Sequence, residues 1–493
     1  MARASRLEYS EVEAVIAGER DVGWVLQEFS GADLSDKRLD RRLIKTAQQL
    51  ASAPISPINE ACGDWASTQA AYRLFDNPKA SPEAILEPHI QQTLERIAAQ
   101  NGAVLVIQDT VFFSYGSRPK TRGLGPIGKT NNAGERGLIM HNALAFTTTG
   151  VPLGLLSQRI WARQEVPEEG RVEKIMRLQC TAIEEKETSK WLLALRETLE
   201  RSPPKFNLVT VADRESDFFE FITEAEEHRA HFLIRARSNR HLVSEDSEGH
   251  TSMLDAFACA PVLGSLAVEV PGNGRRKART ANVDVRIARV TLEPPQRRGH
   301  AKTSGSTEPV TVNLVMATES APPAGTDVIS WVLLTNLPVK NFEAAAEKVQ
   351  WYGQRFGIET WHKVLKSGCK VEDCLLETAE RLQRYLTLFS IIGVRLMHVA
   401  YLARVLPQTA ATDVLSKEEL EALHVRINKT LPPADPPTLR EAVRMIGRLG
   451  GHLGRKCDGE PGVAVLWRGW MRLYEDVEIL RAHKQALGMS DSS

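Results

Sequence analysis

Two continuous apolar runs, each closed by an aspartate, constrain this chain more than any other feature: Ala103-Val-Leu-Val-Ile-Gln-Asp109 and Phe206-Asn-Leu-Val-Thr-Val-Ala-Asp213. Short apolar runs with polar boundaries read as buried strands. Between them lie strand-like stretches, His141 to Thr148 and Val151 to Trp161, and an acidic helical segment from Glu165 to about Arg201. His231 to Arg237 is a further buried strand. Two strands that each deliver an acid at the carboxyl end, joined by a crossover, predict an α/β core with its site at the strand ends. Either aspartate alone reads more often as a turn or helix-capping residue than as a functional one. It is their similarity that supports a functional reading.

Before the first run the period is helical. Ser35-Asp36 opens one helix, Asn77-Pro78 ends another and Ser81-Pro82 starts a third. In the first of these Arg38, Arg41, Arg42 and Lys45 recur at helical spacing, which puts four cations on one face with Leu39, Leu43, Ala47 and Leu50 opposite. Such a ridge suits a phosphate backbone, and it also suits a plain solvated face. Bulk charge speaks against nucleic acid, because 62 Lys and Arg balance 62 Asp and Glu in 493 residues. The balance is not uniform. Residues 270 to 302 hold nine cations (Arg275, Arg276, Lys277, Arg279, Arg286, Arg289, Arg297, Arg298, Lys302) against Asp284 and Glu293, so the rest of the chain carries the compensating acid.

An apolar share of 42% predicts a sizeable core and excludes a disordered chain. No apolar run approaches the roughly 18–20 residues of a bilayer span, and the N-terminus has no secretory apolar region, so the expected location is the cytoplasm, at the nucleoid when bound. The six cysteines show no C-x-x-C pair and are expected as reduced, mostly buried thiols.

From Val328 to Thr335 the chain re-enters a strand, which contains Trp331, and a long helix is expected from about Asn341. That helix gathers Tyr352, Arg355, Glu359, His362, Lys363 and Lys366, with Arg355, Glu359, His362 and Lys366 spaced by 4, 3 and 4 along one stripe. Surface ion pairs would explain the stripe as well as chemistry would. Near the end Leu466, Trp470, Leu473, Val477 and Leu480 form a coiled-coil-like seam, open to internal packing or to a partner. Three acids from separated parts of the chain are what two-metal phosphoryl chemistry requires, since carboxylates bind hard divalent ions and the cations beside them would hold phosphates.

The segment Trp351-Tyr-Gly-Gln-Arg-Phe-Gly-Ile-Glu-Thr-Trp-His-Lys-Val-Leu-Lys366 resembles the Y-x2-R-x3-E-x6-K signature of the IS-four superfamily of bacterial DDE transposases, the Tn-five type in particular. Further similar segments follow in order: Asp33 to Leu43, Ala70 to Asn77, Gln108-Asp-Thr110, Ala212 to Asp217, Ser330 to Thr335 and Ile446 to Gly451.

The resemblance implies an α/β fold with an RNase H-like catalytic core and a β-rich insertion, flanked by all-α N-terminal DNA-binding and C-terminal dimerisation domains. The expected divisions are residues 1–80, 81–400 with a basic insertion at about 238–330, and 401–493. It implies Asp109, Asp213 and Glu359 as the catalytic acids, holding two Mg²⁺ or Mn²⁺ ions per active site. Tyr352, Arg355 and Lys366 would contact phosphates, assisted by Lys363 and Arg235, with Trp331 stacking on a flipped base and Arg38, Arg41, Arg42 and Lys45 on the N-terminal DNA. The expected activity is cut-and-paste transposition through hydrolysis, a hairpin and strand transfer. Its partners would be double-stranded DNA, both terminal inverted repeats and target, and a second copy in a synaptic homodimer. A non-catalytic DNA-binding regulator and a metal-dependent nuclease without strand transfer are the alternatives.

Overall fold

The computed structural model describes residues 23–487 apart from 117–119, 129–133, 166–169, 171, 174–175, 178–180, 271–278, 296–307, 324 and 456–457. Most of the basic cluster expected between 270 and 302 lies outside the described residues, as do Cys180, Cys457 and much of the acidic helical segment that precedes residue 182.

The N-terminal region is helical where its caps predict. Helices α1 (Trp24–Phe29), α2 (Lys37–Ser52), α3 (Ile58–Cys62), α4 (Trp65–Asp76) and α5 (Pro82–Ala98) follow in order. The Asp36 carboxylate accepts the Arg38 N–H at 2.9 Å to open α2, and Ser81 Oγ accepts from Ala84 N–H at 3.2 Å to open α5 with Pro82 in its first turn. Leu39, Leu43, Ala47 and Leu50 are buried, leaving Arg38, Arg41 and Lys45 exposed and Arg42 half-buried.

One ten-stranded sheet runs through the middle of the molecule, in the order β2-β3-β1-β5-β6-β10-β9-β8-β7 with β4 on β3. Its strands are β1 (Val104–Ser114), β2 (Gly125–Pro126), β3 (Arg136–Thr147), β4 (Pro152–Trp161), β5 (Leu208–Ala212), β6 (His231–Arg235), β7 (Gly264–Val270), β8 (Arg279–Leu292), β9 (Val310–Glu319) and β10 (Ser330–Thr335). Crossover helices α6 (Ser189–Arg201) and α7 (Phe219–Glu227) connect the parallel strands β1, β5 and β6. The short helix α8 (Met253–Cys259) precedes β7. Strands β7 to β9, within the span expected to be inserted, extend the same sheet through the antiparallel β9–β10 pair.

The sheet departs from expectation at Asp109. The strand does not stop at this acid but continues to Ser114, because β3 pairs with it from Val104↔Thr147 to Ser114↔Gly137. Only the parallel ladder ends early, at Ile107↔Val211.

The helix expected from Asn341 is also divided. Helix α9 (Phe342–Gly353) ends before Arg355, and α10 (Phe356–Lys363) follows after a two-residue turn and runs into a single wide turn at Val364–Gly368. Around Gly353 the bonds tighten to the i−3 carbonyl, from Gln354 to Trp351 and from Arg355 to Tyr352, both at 3.1 Å. Gly357 lets α10 lie directly on β3: a Cβ there would stand 2.9 Å from the Phe146 ring. The expected single stripe is therefore split between two helices and a turn.

Helix α11 (Ala379–Val405) crosses beneath the sheet and leads to α12 (Lys417–Asn428), α13 (Leu439–Leu449) and α14 (Val463–Ala486). By length and mean hydropathy α11 could span a bilayer, contrary to the expectation that no run approaches this, but 89% of its apolar window is buried within the fold. The C-terminal seam is also internal: Leu466, Trp470, Leu473 and Val477 are buried in the core that α14 shares with α11 and α13. Cys62, Cys369 and Cys374 are buried, while Cys259 is exposed.

Candidate active site

The register of the sheet brings the first two acids together. Ile107 and Val211 are level on adjacent parallel strands, so Asp109 and Asp213, two residues further on each, are neighbours, close enough for the charge of Asp213 to act on Asp109. Asp213 directly follows β5 and caps the next turn, accepting the Glu215 N–H at 2.8 Å. Asp109 accepts the Thr110 N–H at 2.8 Å through Oδ1. Its other oxygen, Oδ2, faces α10, with Arg355 Nη1 at 3.8 Å and His362 Nδ1 at 3.9 Å.

Glu359, on the first turns of α10, completes the group through Arg355, whose Nη2 donates to Glu359 Oε1 at 2.5 Å. Burial pushes the Asp109 carboxyl up to about 7, opposed by Arg355 and reinforced by the charges of Asp213 and Glu359. Burial raises Asp213 too, with Arg355 opposing. For Arg355, burial disfavours the charge, but Tyr352, Glu359 and Asp109 together hold its proton more firmly than usual.

The remaining expected site residues are not all brought to this centre. Tyr352 joins the centre: it is 2% exposed, burial raises its hydroxyl, and it accepts a hydrogen bond from Arg235. Arg235 also donates to the Ser330 carbonyl at 2.8 Å. Trp331 is not presented for stacking. Its indole is 3% exposed and meets the Tyr352 ring edge-on at 5.0 Å, so a base could reach its face only after this contact opened. Lys366 stands at the far end of β1, 3.3 Å from Glu372, which in turn accepts the Ser114 N–H at 2.7 Å. Lys363 is exposed. Arg38, Arg41, Arg42 and Lys45 lie apart, on α2.

Sequence reasoning placed His362 on the stripe but gave it no role. It is buried, its imidazole is pushed down to about 3 by burial with Lys366 and Arg355 assisting, and its Nε2 has no partner among the described residues. Asn142, opposite Asp109 on β3, went unnoticed because nothing local marks it. It is fully buried and accepts from Gln158 Nε2 at 2.9 Å, which also reaches Ser390 Oγ at 2.9 Å. Behind the strand the neutral His141 bonds Thr110 Oγ1 at 2.9 Å and packs on Trp191, so both neighbours of Asp109 in sequence are pinned from the other face.

Three carboxylates are the hard oxygen donors that a divalent cation takes. Asp109 fits this use best: beside the Thr110 N–H, its half-buried carboxylate has Arg355, at 3.8 Å, as its one charged partner among the described residues. Convergence is incomplete: among the described residues no three acidic, histidine or cysteine side chains close on a point that could hold an ion. Arg355 is what lies between Glu359 and Asp109.

Three families match along the chain. Residues 21–80 match the transposase DNA-binding family, 170–392 the transposase DDE domain, and 391–487 the transposase Tn5 dimerisation domain. Asp213 and Glu359 fall inside the DDE match and Asp109 lies upstream of it. A solved structure, "Cryo-EM structure of piggyBac transposase synaptic complex with hairpin DNA (SNHP)", is similar at 11% identity and a TM-score of 0.35, covering 99% of this chain and 75% of that one. The DDE match gives the α/β centre an RNase H-like core, a metal-dependent DNA-cleaving chemistry and a transposase's use of DNA. With all three matches in their expected order around that core, this chain belongs to the Tn5-type DDE transposases.

Proposed function

We propose that this protein is a cut-and-paste transposase that binds the terminal inverted repeats of its element, hydrolyses the end, passes through a hairpin and joins the end to target DNA. The observation that supports the reading is that Asp109 and Asp213 follow a level pair on adjacent parallel strands, with Arg355 bridging Asp109 to Glu359. Residues 1–80 would hold the end, 81–400 would perform the chemistry, and 401–493 would pair two copies in the synaptic complex.

Asp109, Asp213 and Glu359 would hold two Mg²⁺ or Mn²⁺ ions, which supply Lewis-acid activation of a water or 3′-hydroxyl and stabilise the departing oxygen. The chain's own part is positioning. Arg355, Lys363 and Lys366 present cationic N–H groups to the scissile phosphate and its neighbours, and Tyr352 with Arg235 braces the wall behind Arg355. In the first cut the water oxygen forms a bond to phosphorus as the P–O3′ bond breaks, leaving a 3′-hydroxyl and a 5′-phosphate.

The test is nicking and strand transfer on duplexes bearing the inverted repeats that flank the coding sequence. Asp109→Asn and Glu359→Gln are expected to lose both reactions in Mg²⁺ while binding the duplex as wild type does. Cleavage at the wild-type rate in both variants would remove these acids from the mechanism.

A further inference from the structure

Arg355 stands among the acids that a divalent ion would need. It bridges Glu359 Oε1 at 2.5 Å and Asp109 Oδ2 at 3.8 Å, its charge is felt by Asp213, and its side chain is 13% exposed. A guanidinium keeps its proton at any working pH, so this charge can leave the carboxylates only by moving. Nor can it leave for nothing. Withdrawing it would leave a half-buried Asp109 and its neighbour Glu359 without a counter-charge, a loss larger than that of a fully exposed pair. Two events together remove the penalty: a cation must reach the acids, and an anion must receive the guanidinium. A DNA phosphate is that anion, because the planar fork of arginine matches two phosphate oxygens.

The backbone allows the exchange. Arg355 sits at the junction between α9 and α10, outside the regular helix that carries Glu359, where the bonds have already tightened to the i−3 carbonyl. Its side chain is held by side-chain partners that a phosphate and a metal ion would replace.

We propose that Arg355 is an internal counter-cation that makes metal loading and DNA-phosphate binding depend on each other. In the DNA-free protein it occupies Glu359 and Asp109 and weakens metal binding. When a phosphate draws it off, the acids take divalent ions. The proposal rests on the reading of Asp109, Asp213 and Glu359 as the metal-binding set, and adds that the set is closed until DNA arrives.

Linkage supplies the test, because a coupling between two ligands is reciprocal and is lost when its mediator is removed. Mn²⁺ binding is measured on the full chain from the paramagnetic resonance signal of free Mn²⁺, with and without a pre-nicked inverted-repeat duplex, in wild type, Arg355→Gln, Arg355→Lys and Asp109→Asn. Without DNA, Arg355→Gln is expected to bind Mn²⁺ at least about tenfold more tightly than wild type, and Arg355→Lys to fall between them. The duplex should tighten Mn²⁺ binding to wild type by a similar factor and leave Arg355→Gln nearly unchanged. Mn²⁺ should in return raise the wild-type affinity for the pre-nicked duplex by the same factor.

Equal or weaker Mn²⁺ binding in a folded Arg355→Gln overturns the proposal. If that variant does not fold, wild type alone decides: Mn²⁺ affinity that the duplex leaves unchanged overturns it as well. Mn²⁺ binding that Asp109→Asn does not diminish, with or without DNA, would instead overturn the metal-binding assignment itself.

Discussion

At the scale of single residues, identity was easier to read than exposure. Asp109, Asp213 and Glu359 stand out in the sequence because an acid closing an apolar run, or following Tyr and Arg at fixed spacing, leaves a trace in one dimension. Trp331 shows the limit. Its place on a strand was readable, but whether its ring faces a cleft or a neighbour depends on Tyr352, which arrives from another element. The burial has a consequence for mutagenesis. Trp331→Ala should lower stability by about 3–5 kcal/mol, as truncation of a buried indole does, visible as a fall in the thermal midpoint before any catalytic effect is read. Trp331→Phe keeps most of the packing and is the variant in which a loss of hairpin product with nicking retained would report base stacking. His362 was visible as a residue and invisible as a neighbour of Asp109, since only the placement of α10 on β3 brings its Nδ1 to 3.9 Å.

Elements were legible where local chemistry decides them and misread where packing does. The caps at Asp36, Asn77 and Ser81 act within a few residues, and the helices start and stop there. The period of the Tyr352–Lys366 stripe continues through Gly353 without interruption, yet the regular bonding breaks there, and α10 lies close against Phe146. The strand holding Asp109 was read too short because β3, rather than its own sequence, carries it on to Ser114.

The short helix α1 gave no signal of its importance. Its Glu28 is buried against His89 and Arg96 of α5; Arg96 Nη2 donates to Glu28 at 2.9 Å, and Leu155 N–H donates to His89 Nε2 at 2.9 Å, which leaves Nδ1 to donate to Glu28. Burial alone would raise Glu28, but Arg96 and His89 hold it well below the usual carboxylate range. Burial pushes His89 below its ordinary value, with Glu28 opposing. A depressed histidine stabilises the fold above the unfolded value of about 6.5 and loses that contribution as pH falls through the folded one. The wild-type thermal midpoint should therefore decline between pH 7 and pH 5, and His89→Gln should flatten that decline. A decline of equal slope in the variant would remove His89 as its source.

Across the whole molecule, charge was the most misleading single number. A net charge of zero suggested little affinity for DNA, yet on α2 Arg38, Arg41 and Lys45 all point outward while their apolar partners are buried. If these cations meet phosphates of the bound end, Arg41→Ala should weaken binding to all sequences alike and reduce the slope of log affinity against log salt by about 0.9, measured by titration at several salt concentrations. An unchanged slope would mark the ridge as a solvated face. The α/β class and the flanking helical regions were legible from changes of period along the chain. That the insertion strands continue the central sheet was not, because a ladder such as β9–β10 is a long-range pairing with no local trace.

The three matched segments of the chain share one apolar core, from Val25 and Phe29 through the sheet to Leu473 and Val477. Exchange of parts between related transposases is limited accordingly. A foreign end-binding segment spliced in at residue 80 would bring its own α1 and lose the match to His89, Arg96 and α11. A change in the DNA sequence bound is more readily acquired on the outward faces of α2 to α4, with α1 and α5 kept as the native seat. Such hybrids test modularity directly: those that retain α1 and α5 should express as folded protein, and those that replace α1 should not.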